Sequence, residues 1–176
     1  MMDIQALAND KALKPLDKRA RLIAALDQEA VNIGDLLAAP APLNDRACKL
    51  LLEAIEESTR TQPERATPDW MAFAQQHLAS PSPGIQREAA RIAGNLAARF
   101  PDALEGAIPL LLAMAQAEGT VLRWAAAYAL GRMVALPTYA NGTLIEQVRL
   151  LAQQEENNGV KQQYLTGIKK AERGLR

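Results

Sequence analysis

Apolar and polar positions recur along the chain at helical spacing, most clearly from Leu122 to Met133. With Leu122 as position 0, the apolar residues Leu122, Ala126, Ala127, Ala129, Leu130 and Met133 stand at 0, 4, 5, 7, 8 and 11. At 3.6 residues per turn these share one face. Three of the six are alanine, which predicts a neighbour packed closely against that face. The spacing returns at Ile85 (Ile85, Ala89, Ala90, Ile92, Ala93, Leu96) and at Val160 (Val160, Tyr164, Leu165, Gly167, Ile168, Ala171). A looser copy starts at Ala47, with Leu51, Leu52, Ala54 and Ile55. The starts 47, 85, 122 and 160 lie 38, 37 and 38 residues apart. A constant period near 40 predicts stacked helical units, each burying its apolar face on the next.

The punctuation between copies predicts a second helix in each unit. Thr67-Pro68 and Ser82-Pro83 open helices with proline at the first helical position, where its missing donor does no harm. Asp102-Ala-Leu-Glu105 and Thr143-Leu-Ile-Glu146 read as capping boxes that open helices 102–117 and 143–155. Only a few residues separate each of these from the following copy, so the two fold back as an antiparallel pair. Pairs are expected near 67–79/83–99, 102–117/120–135 and 143–155/158–173. Upstream, a short helix is expected at Ile4 to Ala8 and a longer one from Asp17, as N-cap, through Leu22, Ile23, Leu26 and Ala30. Ile33 to Ala39 ends at Pro40 and Pro42. Asn44 caps the Ala47 copy, which fades into the polar run Glu56 to Glu64. The expected architecture is all-α: residues 1–60 form an N-terminal helical cap and a degenerate repeat, and 61–176 form regular repeats of the same continuous solenoid, about four helix pairs altogether.

Leu-Arg-Trp-Ala-Ala-Ala-Tyr-Ala-Leu-Gly at 122–131 resembles the second-helix pattern of HEAT and HEAT-like repeats, Val-Arg-x-x-Ala-Ala-x-Ala-Leu-Gly. Ile85-Gln-Arg-Glu-Ala-Ala-Arg-Ile-Ala-Gly94 is nearly as similar. Pro109 in Ala-Ile-Pro-Leu-Leu-Leu resembles the proline that kinks the first helix of many HEAT repeats. The resemblance is strong over 67–136, fair over 137–175 and weak before 60. It implies a right-handed α-α superhelix used mostly for binding partners, and no chemistry of its own. The chain departs from the family where an aspartate often precedes the Val-Arg pair: Pro83 and Thr120 stand there, so no Asp–Arg ladder between repeats is expected.

Composition narrows the function classes. Hydrophobic residues make up 49% of the chain and aromatics 4%, so the core is aliphatic and rich in alanine, and sparse β-branched residues argue against sheet. The formal net charge is +0, which leaves no global attraction to nucleic acid or anionic membrane. Residues 119–176 are nevertheless locally basic, with eight Lys/Arg against four Asp/Glu. One cysteine excludes an internal disulfide and agrees with a reducing compartment. The start Met1-Met2-Asp3-Ile4-Gln5 lacks a signal-peptide pattern, and no apolar run approaches the roughly 20 residues that cross a bilayer. A cytoplasmic protein off the membrane is expected.

No catalytic constellation is legible. The single histidine, His77, reads as a helix-surface or boundary residue, and Cys48 as a small packing residue. No His/Cys set has metal-ligand spacing, and neither a metal nor a cofactor is expected. Glu56-Glu57 and Glu155-Glu156 read as solvated helix ends. Gly94 and Gly131 share position 9 in mid-helix, where glycine costs about 1 kcal/mol relative to alanine, and close helix approach is the expected reason.

Positions 2, 6 and 10 lie opposite the apolar centre of each copy. In a HEAT-like stack they line the concave face: Lys49, Glu53 and Glu57; Arg87, Arg91 and Asn95; Trp124, Tyr128 and Arg132; Gln162, Thr166 and Lys170. Glu88 is expected on the flank. Trp, Tyr and Arg most often dominate binding energy, so Arg87, Arg91, Asn95, Trp124, Tyr128, Arg132 and Lys170 form the candidate partner-binding patch. The leading expectation is a non-catalytic scaffold for a protein or peptide partner, best an acidic segment with an apolar or aromatic anchor. Nucleic acid is the alternative, with Arg and Lys on phosphates and the aromatics on bases, as in alkylpurine DNA glycosylases built from HEAT-like repeats. HEAT-like bilin lyases are a third comparison, with no residue-specific support. Packing of Trp124 and Tyr128 against a neighbouring helix is the competing, purely structural reading of the pair.

Overall fold

The computed structural model describes residues 2–174, and these form ten α-helices with no strand among them. In chain order they are α1 (Ile4–Asn9), α2 (Pro15–Asp27), α3 (Ile33–Ala38), α4 (Asp45–Thr61), α5 (Pro68–His77), α6 (Pro83–Leu96), α7 (Ile108–Met114), α8 (Thr120–Val134), α9 (Thr143–Gln154) and α10 (Asn158–Gly174). Short polar side chains close several N-termini. Asn44 accepts from the Ala47 amide at 3.0 Å to start α4, and Asp3 and Asn32 do the same for α1 and α3. Proline stands in the first turn of α2, α5, α6 and α7.

The four helices that carry the repeated pattern are neighbours in order: α4 packs on α6, α6 on α8 and α8 on α10. Each of α5, α7 and α9 packs on the helix that follows it, while α1 and α2 cover α4. The repeated apolar positions are what these contacts bury: Ala47, Leu51, Leu52, Ile85, Ala89, Ala90, Ala126, Ala127, Leu130, Val160 and Tyr164 are all in the core. Glycine sets how closely α8 and α10 approach. A Cβ on Gly131 would come within 2.5 Å of the Gln163 carbonyl oxygen, and one on Gly167 would meet the Gly131 backbone. Gly94 also lies close to α8, its missing Cβ 2.9 Å from the Ala129 Cα. Both mid-helix glycines are thus explained by helix contact.

Several local expectations are corrected. Neither capping box forms. Asp102 lies in a 3₁₀ turn (Pro101–Ala103), and α7 begins only at Ile108, so Pro109 sits in its first turn and kinks nothing. Thr143 is already helical, behind Gly142 at a φ of 119°. Helix α2 starts at Pro15, which puts Asp17 in its first turn. The polar run after Glu56 stays helical to Thr61, because Ser58 and Thr59 are buried by tertiary contact. Leu165, assigned to the apolar face, is 39% exposed. Helix α10 ends the row, and no further helix covers that side among the described residues.

Candidate functional site

Helix α8 aligns Trp124, Tyr128 and Arg132 along one side, four residues apart. The Trp124 and Tyr128 rings stack at 5.3 Å between centroids and 26° between planes. The Arg132 guanidinium carbon lies 3.5 Å from the Tyr128 centroid, a cation–π contact worth about 0.5–1 kcal/mol at an exposed site. The three differ in burial. Trp124 is half-buried and Arg132 exposed, but Tyr128 retains only 8% of its surface. The expected exposed aromatic pair is therefore one accessible ring on a buried one.

Tyr128 is held from below. Its hydroxyl donates to Asn95 Oδ1 on α6, and Asn95 Nδ2 donates to Thr59 Oγ1 at 3.1 Å and to the Glu56 carbonyl at 3.3 Å on α4. Thr59 Oγ1 donates to that same carbonyl. Burial raises the Tyr128 phenol above its usual range, with Arg132 opposing, so the hydroxyl stays protonated and keeps its donor. Asn95, expected as a surface contact, thus bridges three helices.

Arg87 and Arg91 belong to a second cluster. Arg91 Nη2 lies 2.8 Å from Glu56 Oε1, and Arg91 Nη1 lies 3.2 Å from Glu88 Oε2. Arg87 Nε donates to Glu88 Oε1 at 2.7 Å. Glu88 is 2% exposed and Glu56 5%, so the expected flank and solvated-end positions are corrected: both carboxylates are buried between arginines. The Arg91–Glu56 contact is a charge contact without hydrogen-bond angles, and both Glu56 Oε1 and Arg91 Nε lack a hydrogen-bond partner. Burial pushes the Glu56 carboxyl up and Arg91 pulls it back down, burial being the larger effect. Sequence reasoning missed this cluster. Its signal was Glu56 at position 9, where the next two copies have Gly94 and Gly131.

Of the candidate residues, Arg132 and Lys170 carry positive charge without a carboxylate partner, neither making an ion pair among the described residues. Both border a groove of about 270 Å³ that crosses α6, α8 and α10. Asn95, Tyr128, Gln163 and Thr166 line it, over a floor of glycine and alanine. Of the seven candidate residues, Asn95, Tyr128, Arg132 and Lys170 share this groove. Trp124 stacks on its Tyr128 wall, and Arg87 and Arg91 sit in the ion-pair cluster. A groove this size falls below the roughly 300–1,000 Å³ of small-molecule sites.

The remaining reactive side chains have structural roles. His77 Nδ1 lies 2.8 Å from the Phe73 carbonyl oxygen, with the ring packed on Phe73. Cys48 is buried, its thiol pushed up to about 12 first by burial and then by Asp45. No group of three or more His, Cys, Asp or Glu could hold a metal among the described residues, and no helix is long and apolar enough to cross a membrane.

No family model and no curated protein matches the chain. Among solved structures, it is similar to an engineered protein, a Northeast Structural Genomics Consortium target, with 12% identity and a TM-score of 0.52. The similarity covers 99% of this chain and 98% of that one, and it extends to the fold alone.

Proposed function

We propose that this chain is a non-catalytic, cytoplasmic HEAT-like scaffold whose second helices form the concave face of a right-handed superhelix and bind a protein partner there. The observation that carries this is the α8 stack: a half-exposed Trp124 resting on a Tyr128 clamped by Asn95, beside Arg132. A rigid aromatic anchor beside an unpaired cation is the arrangement that dominates protein interfaces, because little side-chain entropy remains to be lost on binding. The partner is an acidic segment carrying an apolar or aromatic anchor.

Nucleic acid is disfavoured by the charge distribution. Within the candidate patch Arg87 and Arg91 are already paired with Glu88 and Glu56, which leaves Arg132 and Lys170 there. Two cations support a log K against log salt slope of only about −1.4 on a single strand. That is too little electrostatic binding for a tight phosphate-backbone complex on this patch.

Partner complexes recovered from the source cell with wild-type and Trp124→Ala protein test the reading. Capture that disappears in Trp124→Ala while circular dichroism stays unchanged supports it. Capture of nucleic acid, removed by nuclease and insensitive to Trp124→Ala, rejects it.

A further inference from the structure

The groove over α6, α8 and α10 has a register origin. Position 9 is glycine on two successive helices, Gly94 and Gly131, and position 13, just past the end of each helix, is alanine, Ala98 and Ala135. All four line the groove, so at these positions its floor carries nothing larger than a methyl group. On α4 the same positions carry Glu56 and Arg60, whose charges lie 3.6 Å apart, and no α4 residue lines the groove. The trough is therefore closed at α4 and runs across the helix axes toward α10.

Its lining selects the occupant. A helix brings its own hydrogen bonds and seeks an apolar groove, whereas an extended strand brings unsatisfied backbone groups. Here Gln163 makes no side-chain hydrogen bond among the described residues, and the Thr166 hydroxyl donates to Gln162 but keeps its lone pairs. Arg132 and Lys170 border the same groove and set the sign of the charge.

We propose that this trough holds an extended acidic peptide segment laid across α6, α8 and α10, its backbone met by Gln163 and Thr166 and its carboxylates by Arg132 and Lys170. The inference rests on the scaffold reading and adds the conformation, direction and length of what is bound. Two interhelical spacings of about 8–10 Å span about 16–20 Å, which is five to six residues at about 3.3 Å each. Alternate side chains of such a segment point toward the glycine and alanine floor.

Terminally blocked oligoglutamates are the probes, since charge repulsion keeps them extended at neutral pH. Titration followed by tryptophan fluorescence would compare three-, six- and nine-residue chains. Affinity should rise about tenfold from three residues to six and change less than about twofold from six to nine. Hexaglutamine should not bind. Arg132→Ala and Lys170→Ala should each weaken hexaglutamate about three- to fivefold, the range of an exposed ion pair. Arg149→Ala, which removes a cation outside the trough already paired to Glu146 and Glu172, should change nothing. Affinity independent of length, equal binding of hexaglutamine, indifference to both trough cations, or no binding at all each overturns the proposal. Should Trp124→Ala abolish capture of a protein partner while hexaglutamate ignores Arg132→Ala and Lys170→Ala, the scaffold reading stands and the trough fails. Recovery of nucleic acid in place of protein rejects the scaffold reading itself.

Discussion

Tyr128 donates its hydroxyl to the side-chain oxygen of Asn95 at 2.5 Å, and through Asn95 the accessible face of α8 is tied to α4, two helices away. The bond fixes the ring on which Trp124 stacks and over which Arg132 lies. Tyr128→Phe keeps the ring but leaves the Asn95 oxygen unpaired, which should cost about 1–2 kcal/mol in urea denaturation. Asn95→Ala should cost at least as much, because it also frees Thr59. The double variant should lose less than the sum, since both substitutions break one network.

Gly131 controls the α8–α10 spacing. Alanine there gains about 1 kcal/mol of helix propensity. Its Cβ, 2.5 Å from a backbone oxygen that cannot rotate away, forces the helices apart at a cost of about 1–3 kcal/mol or more. Gly131→Ala should therefore lower the urea midpoint. Gly106→Ala, where nothing lies within 4 Å, should stay within about 0.5 kcal/mol of wild type.

Trp124 and Ala126 sit two residues apart on α8 and should respond oppositely to substitution. Trp124→Ala removes a half-exposed ring and should leave the helical circular dichroism signal intact. Ala126 is fully buried, so Ala126→Glu places an unpaired charge between helices and should cost several kcal/mol or prevent folding, on the order of 3–5 kcal/mol. A loss below about 1 kcal/mol on chemical denaturation would contradict the packing of that face.

Two glutamates should give stability curves of opposite slope. Burial raises Glu56 above the ordinary 4.5, so the folded state holds that proton more tightly than the unfolded chain. The Glu56 contribution therefore falls as pH rises from about 4.5 through the raised value. Arg123, hydrogen-bonded to Glu155, lowers the Glu155 carboxyl, with burial opposing. Its contribution is complete above the ordinary value and is lost as pH falls through the lowered one. Urea midpoints between about pH 3 and 7 should show wild type losing ground to Glu56→Gln with rising pH, and to Glu155→Gln with falling pH.

Much of the helical framework was legible because it depends on local spacing. The copies at Ala47, Ile85, Leu122 and Val160 each became one helix of the row, and Gly94 and Gly131 marked its closest contacts. The N-terminal boundaries at Pro68, Pro83 and Asn44 followed from backbone rules that need no partner. The capping boxes failed because such a pattern is satisfied by any turn that suits its neighbours. The Pro101–Ala103 turn and Gly142 settled those two ends differently.

Within the site, the identity and face of Trp124, Tyr128, Arg132 and Lys170 came from the chain alone, since helical periodicity places residues four apart on one side. Their environments did not. Whether an arginine offers its charge depends on which carboxylates the fold brings to it, and Glu56 reaches Arg91 from 35 positions away on another helix. Tyr128 is buried and hydrogen-bonded to Asn95 of α6, while Trp124, one turn earlier on the same side, packs on the core and stays half-open. Sequence determined the four repeated helices, their order and most of their buried faces, which are properties of spacing within about 4 residues. Only the tertiary structure decided which charges were cancelled and which ring stayed accessible, because those depend on side chains far apart in the chain arriving at the same place.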